Sequence, residues 1–175
     1  MTEDPKYPIG KFAKPERFDA ALREQCIREI AAAPAALRAA VAGWDDRKLD
    51  TPYRDGGWSV RQVVHHLPDS HMNAYVRWKL ALTETEPVIK PYAEDRWAEL
   101  PDAKLAPVDS SLALLESIHS RWVVCMRGMK TEEFEKKFRH PERGLMSLND
   151  LLALYAWHGK HHVAHITTLR KKNGW

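Results

Sequence analysis

Nine histidines stand against two cysteines in this chain. His65 and His66 are adjacent, and His158, His161, His162 and His165 crowd one later stretch. Imidazole is both a base near neutral pH and a common metal ligand. Spacing sharpens the choice. On a helix at roughly 100° per residue, Leu148, Leu151, Leu152, Tyr155, Val163, Ile166 and Leu169 mark one apolar face. His162 falls near its middle and His158 to one side, while His165 lies further round and His161 nears the polar boundary. Side chains four apart have Cβ atoms about 6 Å apart, so His158 and His162 can reach one metal ion. Two neutral imidazoles turned inward otherwise need buried partners for four ring nitrogens. Spacing alone leaves metal ligation and a hydrogen-bonded core pair evenly matched.

A second pattern, Val60, Val64, Leu67, Ala74 and Trp78, places His71 near its apolar centre, His66 on the flank and His65 pointing away. Pro68 disturbs the phase, so the pattern does not choose between His66 and His71. His119 lies beside the seam of a third pattern and reads as a core residue. His140 falls in a loop and is expected to be solvated. One histidine from the second helix and two from the fourth would make a three-nitrogen site with open positions, which is the form of a catalytic rather than a structural metal. Zinc or nickel suits such a set.

No H-E-x-x-H is present, because Gly159 follows His158. Asp69, one turn after His66, is a candidate base, although a solvated surface carboxylate is the plainer reading. Arg54 is a candidate for binding an anionic substrate group. No Gly-rich phosphate loop or Ser-His-Asp arrangement is evident.

The elements that must position these residues are helical. Asp19 to Val41 is Ala- and Leu-rich, with Pro34 expected to kink or restart it. Ser59 and Gln62 form an S-x-x-Q start for a helix to about Thr83, with a distortion expected at Pro68. A proline-rich connection holds a short turn near Ala93 to Leu100. Asp109 opens a third helix, with Leu112, Leu115, Ile118, Trp122 and Met126 at helical steps. Phe138 to Met146 reads as a loop or small hairpin. Ser147 and Asp150 cap a fourth helix to about Lys172, and Asn173-Gly174 stops it. The expected fold is an all-α four-helix bundle, up-down-up-down, with the long connection between the second and third helices.

At 175 residues the chain is expected to be one domain, 1–175. A 44% hydrophobic share excludes a disordered chain, and a net charge of +3 is too balanced for a nucleic-acid or membrane surface. Cys26 and Cys125 are too few and too far apart for a thiolate metal site or a disulfide framework. The longest apolar run, Leu151 to Trp157, falls far short of the ~20 residues of a membrane helix. The opening MTEDPKYPIGKF lacks the apolar core of a signal peptide, so a cytoplasmic location is expected.

The stretches TPYRDGGWSVRQVVHHLPDSHMNAYVRWKLALTE and LLALYAWHGKHHVAHITTLRKKNGW, with KPYAEDRW and SLALLESIHSRW between them, resemble the YfiT branch of the DinB-like superfamily. The resemblance runs from about Tyr7 to Trp175. It implies a four-helix bundle, a divalent metal, a homodimer and a cytoplasmic enzyme. It assigns the metal to the second histidine of VVHH and to the two of W-H-x-x-x-H, which are His66, His158 and His162 here. Pro68 departs from the smaller residue expected at that place. Members are described as metal-dependent hydrolases, and some as transferases of a low-molecular-weight thiol such as bacillithiol. A thiol on such a metal would be deprotonated outright, and a water would have a pKa near ~7. The missing carboxylate beside the ligand pair tilts the expectation to thiol transfer onto a small-molecule electrophile, with hydrolysis as the alternative. A non-enzymatic helical dimer with structural histidines is the third reading.

Overall fold

The computed structural model describes residues 4–175. Helix α1 spans Ala20–Ala40, and Asp19 caps it by accepting the Leu22 N–H at 2.8 Å. A short α2, Asp46–Leu49, leads to α3, Val60–Thr83, which opens with the expected reciprocal Ser59–Gln62 cap. Helices α4, Glu94–Trp97, and α5, Pro101–Leu105, sit in the long connection; α5 was not foreseen. Helix α6 spans Val108–Arg127, so Asp109 lies inside its first turn rather than before it. A 3₁₀ turn, Thr131–Glu135, precedes a hairpin of β1, Lys137–His140, and β2, Gly144–Ser147. Helix α7 spans Leu148–Asn173 and stops at Gly174, whose φ of 67° suits a residue without Cβ.

Pro34 does not restart its helix; it and Pro68 both lie inside continuous helices. Packing on both sides outweighs one missing hydrogen bond per proline. Each proline still leaves the carbonyl four residues earlier without its helical donor.

The four long helices form the expected bundle, but the order of directions differs. The start of α1 meets the start of α7 through Arg23 Nε and Asn149 at 2.9 Å, and their ends meet where Arg170 donates to the Ala39 carbonyl at 3.3 Å. These two helices are parallel. So are α3 and α6, joined by His65–Ser111 near their starts and by Trp78 Nε1 to Met129 near their ends. Helices α3 and α7 are antiparallel, with His66 facing His158 and Ser70 facing Tyr155. The directions are therefore up-down-down-up, and α1 and α3 occupy opposite corners. The cause is the connection of residues 84–107. It runs back along α3, where Gln62 donates to the Ala98 carbonyl and Arg61 and His65 bond the Ala106 carbonyl. It thus delivers the chain to the start of α3 before α6 begins.

Two apolar clusters fill the bundle. One holds Trp78, Trp122, Phe138, Leu148 and Leu152; the other holds Leu37, Val60, Val64, Leu115 and Ile166. His71 on α3, His119 on α6 and the four histidines of α7 fall between the two clusters, and His66 packs against His158 and His162, so the bundle has an imidazole layer in its middle. Among the described residues no helix is long and apolar enough to cross a membrane.

Candidate metal centre

The cap at Ser59 sets the phase of α3, and the cap at Ser147 sets that of α7. Antiparallel packing then brings His66 against His158 and His162. Their Nε2 atoms, His66 to His158, face each other at 3.3 Å. One ligating atom from each of His66, His158 and His162 lies within 4.8 Å of the others. The structure thus places together the set that the resemblance names. The ring of Trp58, in the loop before α3, packs over His66 at 4.9 Å between centroids.

His71, which the pattern could not rank below His66, lies on the far side of His158. A chain of hydrogen bonds begins at the Ile30 carbonyl, which can only accept. His119 donates to it through Nδ1–H at 2.6 Å, so neutral His119 keeps a lone pair on Nε2. That nitrogen accepts from Nδ1–H of His71 at 2.8 Å. His71 Nε2 then accepts from Nδ1–H of His158 at 3.1 Å. The proton pattern leaves His158 Nε2 a bare lone pair, aimed at His66.

Burial keeps the layer neutral. Desolvation lowers the pKa of His66 to about 4, helped by His161, and lowers that of His119 to about 4 against the pull of the Ile30 carbonyl. His71, His158 and His162 are held well below the usual value, first by burial and then by neighbouring histidines, His66 among them in each case. Three neutral imidazoles with converging nitrogens, one with its lone pair fixed, fit a divalent ion of the zinc or nickel kind. Other buried nitrogens are less well held. Nδ1 of His161, His162 and His165 has no hydrogen-bond partner in the protein. These three residues form a second close group, but it shares His162 with the first. His165 donates through Nε2–H to the Lys6 carbonyl and lies under the Tyr53 ring.

Three placements differ from expectation. His65 does not point to solvent; it is buried, accepting from Ser111 and donating to the Ala106 carbonyl, because the returning connection covers it. His140 is buried in β1 rather than solvated in a loop. His161 is buried beneath the stacked Trp157 ring, with Tyr7 of the N-terminal segment nearby. Asp69 is half-buried, and burial with Asp102 nearby raises its pKa to about 6. Among the described residues no hydrogen bond or ion pair joins its carboxylate to the three imidazoles. Arg54 bonds Tyr53 and the Asp55 carbonyl, beside His165 rather than His158.

A cavity of 330 Å³ ends on His158, with Tyr155, Ser70 and Tyr92 beside it and Arg77 in its wall. Arg77 escaped notice in the sequence, yet it lies eleven residues, about three turns, after His66 and so shares its helix face.

Three histidines brought together by two helices of a four-helix bundle, one of them lining a cavity, define a helical-bundle protein with a candidate metal centre. Residues 29–166 match the DinB superfamily, and the chain belongs to that superfamily. It is 54% identical over 172 residues to proteins of Bacillus cereus and Bacillus thuringiensis, covering 98% of this chain and 99% of each of theirs. Each of those carries the name "Putative metal-dependent hydrolase". The solved structure of YfiT from Bacillus subtilis superposes with a TM-score of 0.95 at 47% identity, covering 98% of both chains. It is described as "a probable metal-dependent hydrolase with an unusual four-helix bundle topology". The four-helix bundle protein TT2238 matches at a TM-score of 0.53 and 19% identity over 83% of this chain, a likeness of fold alone.

Proposed function

We propose that this chain is a metal-dependent hydrolase centred on His66, His158 and His162. The observation that carries the reading is the convergence of three neutral imidazoles, one of which, His158, lines a cavity. The names of the relatives support hydrolysis over transfer. A divalent ion held there would supply a Lewis acid that polarises a substrate carbonyl and lowers the pKa of water toward about 7.

The chain's own residues prepare that site. The Ile30–His119–His71 hydrogen bonds hold the His158 ring and its lone pair. The apolar clusters on either side of the imidazole layer keep the nitrogens unprotonated and exclude competing water. The cavity beside His158 admits a small-molecule substrate of modest size.

One observation favours the second reading, transfer of a low-molecular-weight thiol. Among the described residues no carboxylate is bonded to the three imidazoles, and thiolate attack needs no general base, whereas hydrolysis benefits from one. The deciding experiment assays zinc- and nickel-loaded protein against chromogenic esters and amides, and against an aryl halide with a panel of thiols. Metal-dependent ester or amide hydrolysis that is lost in His158→Ala is the expected result. Conjugation without hydrolysis would replace this reading with thiol transfer.

A further inference from the structure

The cavity that ends on His158 has an unpaired cation in its wall. Arg77 is only 8% exposed, and its one hydrogen bond in the protein runs to the Lys90 carbonyl at 3.2 Å. Among the described residues no ion pair engages it. A buried guanidinium left without an anion is costly, because its N–H donors lose water and gain little. Tyr92 adds a buried hydroxyl beside Ser70 that makes no well-formed hydrogen bond in the protein. Glu94 lines the same cavity, although the residue is exposed overall; burial raises its carboxyl pKa while Arg143 and Arg77 pull it down, but it forms no ion pair with Arg77. Phe12, Phe138 and Leu151 supply apolar wall between these polar groups.

We propose that this cavity binds a small molecule carrying a carboxylate, with the carboxylate on Arg77, its apolar body against Phe12 and Leu151, and its reacting end toward His158. The planar fork of Arg77 matches a carboxylate bidentately, and the Tyr92 hydroxyl can donate to the same group. This rests on the hydrolase reading only for which end reacts; the binding itself does not. The test measures binding of 3-phenylpropionate and its neutral amide by calorimetry, in chelator-treated and zinc-loaded protein. In chelator-treated protein the carboxylate should bind about tenfold tighter than the amide, the effect of one charge-assisted contact. Arg77→Met should abolish the preference, and Arg77→Lys should weaken it by losing the fork. Equal binding of acid and amide by the unaltered protein overturns the proposal, whatever the variants do. So does a preference seen only with zinc and lost in His158→Ala, since the ion then reads the carboxylate; the metal centre would survive that result. An Arg77-dependent preference in a protein that binds no zinc supports the subsite and removes the hydrolase reading.

A second observation stands apart from the cavity. Pro34 cannot donate to the carbonyl four residues before it, and that carbonyl is Ile30, the acceptor at which the His119–His71–His158 chain begins. We infer that Pro34, His119 and His71 are positioning residues that set the tautomer of His158 and hence the affinity of the centre for metal. Nitrogen-15 spectra should show His71, His119 and His158 as Nδ1–H tautomers. His119→Leu removes the acceptor for His71 and should weaken zinc binding by about 10–100-fold in a chelator competition. His119→Gln should rescue it, because one amide can donate to Ile30 and accept from His71. A purely structural His119 would give no such split between the two variants. Finding His71 as the Nε2–H tautomer, or unchanged zinc affinity in folded His119→Leu, overturns the inference; the spectra of the unaltered protein decide it if that variant does not fold.

Discussion

Lowering the pH should unfold the metal-free protein over a narrow range. His66, His119 and His161 stay neutral in the folded chain at pH 5.5, because burial above all holds each pKa at about 4, and His71, His158 and His162 are shifted in the same direction. In the unfolded chain each titrates near its ordinary 6.5. The folded pKa is depressed, so the associated stability is present above pH 6.5 and is lost as pH falls from there toward 4. At pH 5.5 an unfolded histidine gains about 1.4 kcal/mol by taking up its proton, so the three held at about 4 together give about 4 kcal/mol, and His71, His158 and His162 add in the same sense. That is comparable to the 5–15 kcal/mol by which domains of this size are stable. Asp69 acts in the opposite sense, since its pKa is raised to about 6, but its contribution at pH 5.5 is only about 0.8 kcal/mol. Urea denaturation of chelator-treated protein at pH 7.5 and 5.5 measures the difference. A loss of less than about 2 kcal/mol would show that the imidazole layer is solvated or protonated in the folded chain, and the argument from burial would fail.

Other outcomes follow from the same geometry. Zinc should raise the melting temperature of the unaltered protein at pH 7.5 and leave the His158→Ala, His162→Ala double variant unmoved, because only a folded site binds the ion. Asp69→Asn should stabilise the protein at pH 7.5 by on the order of 1–3 kcal/mol in urea titration, with the gain vanishing below pH 4, where the unaltered carboxyl is already protonated. Gly159→Leu should cost about 1–3 kcal/mol or more in the same titration, since a Cβ at Gly159 would already stand 3.1 Å from the Ala33 Cβ. Cys26 is buried and its thiol pKa is raised by burial, so a thiol-reactive dye should label native protein at Cys125 first, and Cys125→Ser should remove the fast phase.

What could be read in the sequence was whatever a single helix carries within itself. The caps at Ser59 and Ser147 and the stop at Gly174 each involve residues within a few positions, and they fall where their types place them. The His158–His162 pair is of the same kind. The place of His66 is not, because it depends on how α3 meets α7, and Pro68 obscures the phase. The direction of α6 was illegible because a proline-rich connection carries no periodicity that tells whether it crosses an end or doubles back. The burial of His65 and His140 follows from that same connection and from the hairpin. Pro34 offered the subtlest case: its sequence says that one carbonyl is free, but only the packing of α1 on α6 says that His119 takes it.

The up-down-down-up order has a consequence for how the molecule comes into being. Helices α1 and α7 lie side by side yet sit near opposite ends of the chain, and Arg23 and Asn149 touch across 126 positions. During synthesis α1 therefore waits for its parallel neighbour until α7 has been made. Two of the three proposed ligands arrive on that last helix. A nascent chain halted before residue 148 would hold His66 alone, with the side of α1 that meets α7 uncovered. Contacts of such long reach make for slow closure. The centre is thus among the later features to exist, and only a chain that includes α7 can carry it.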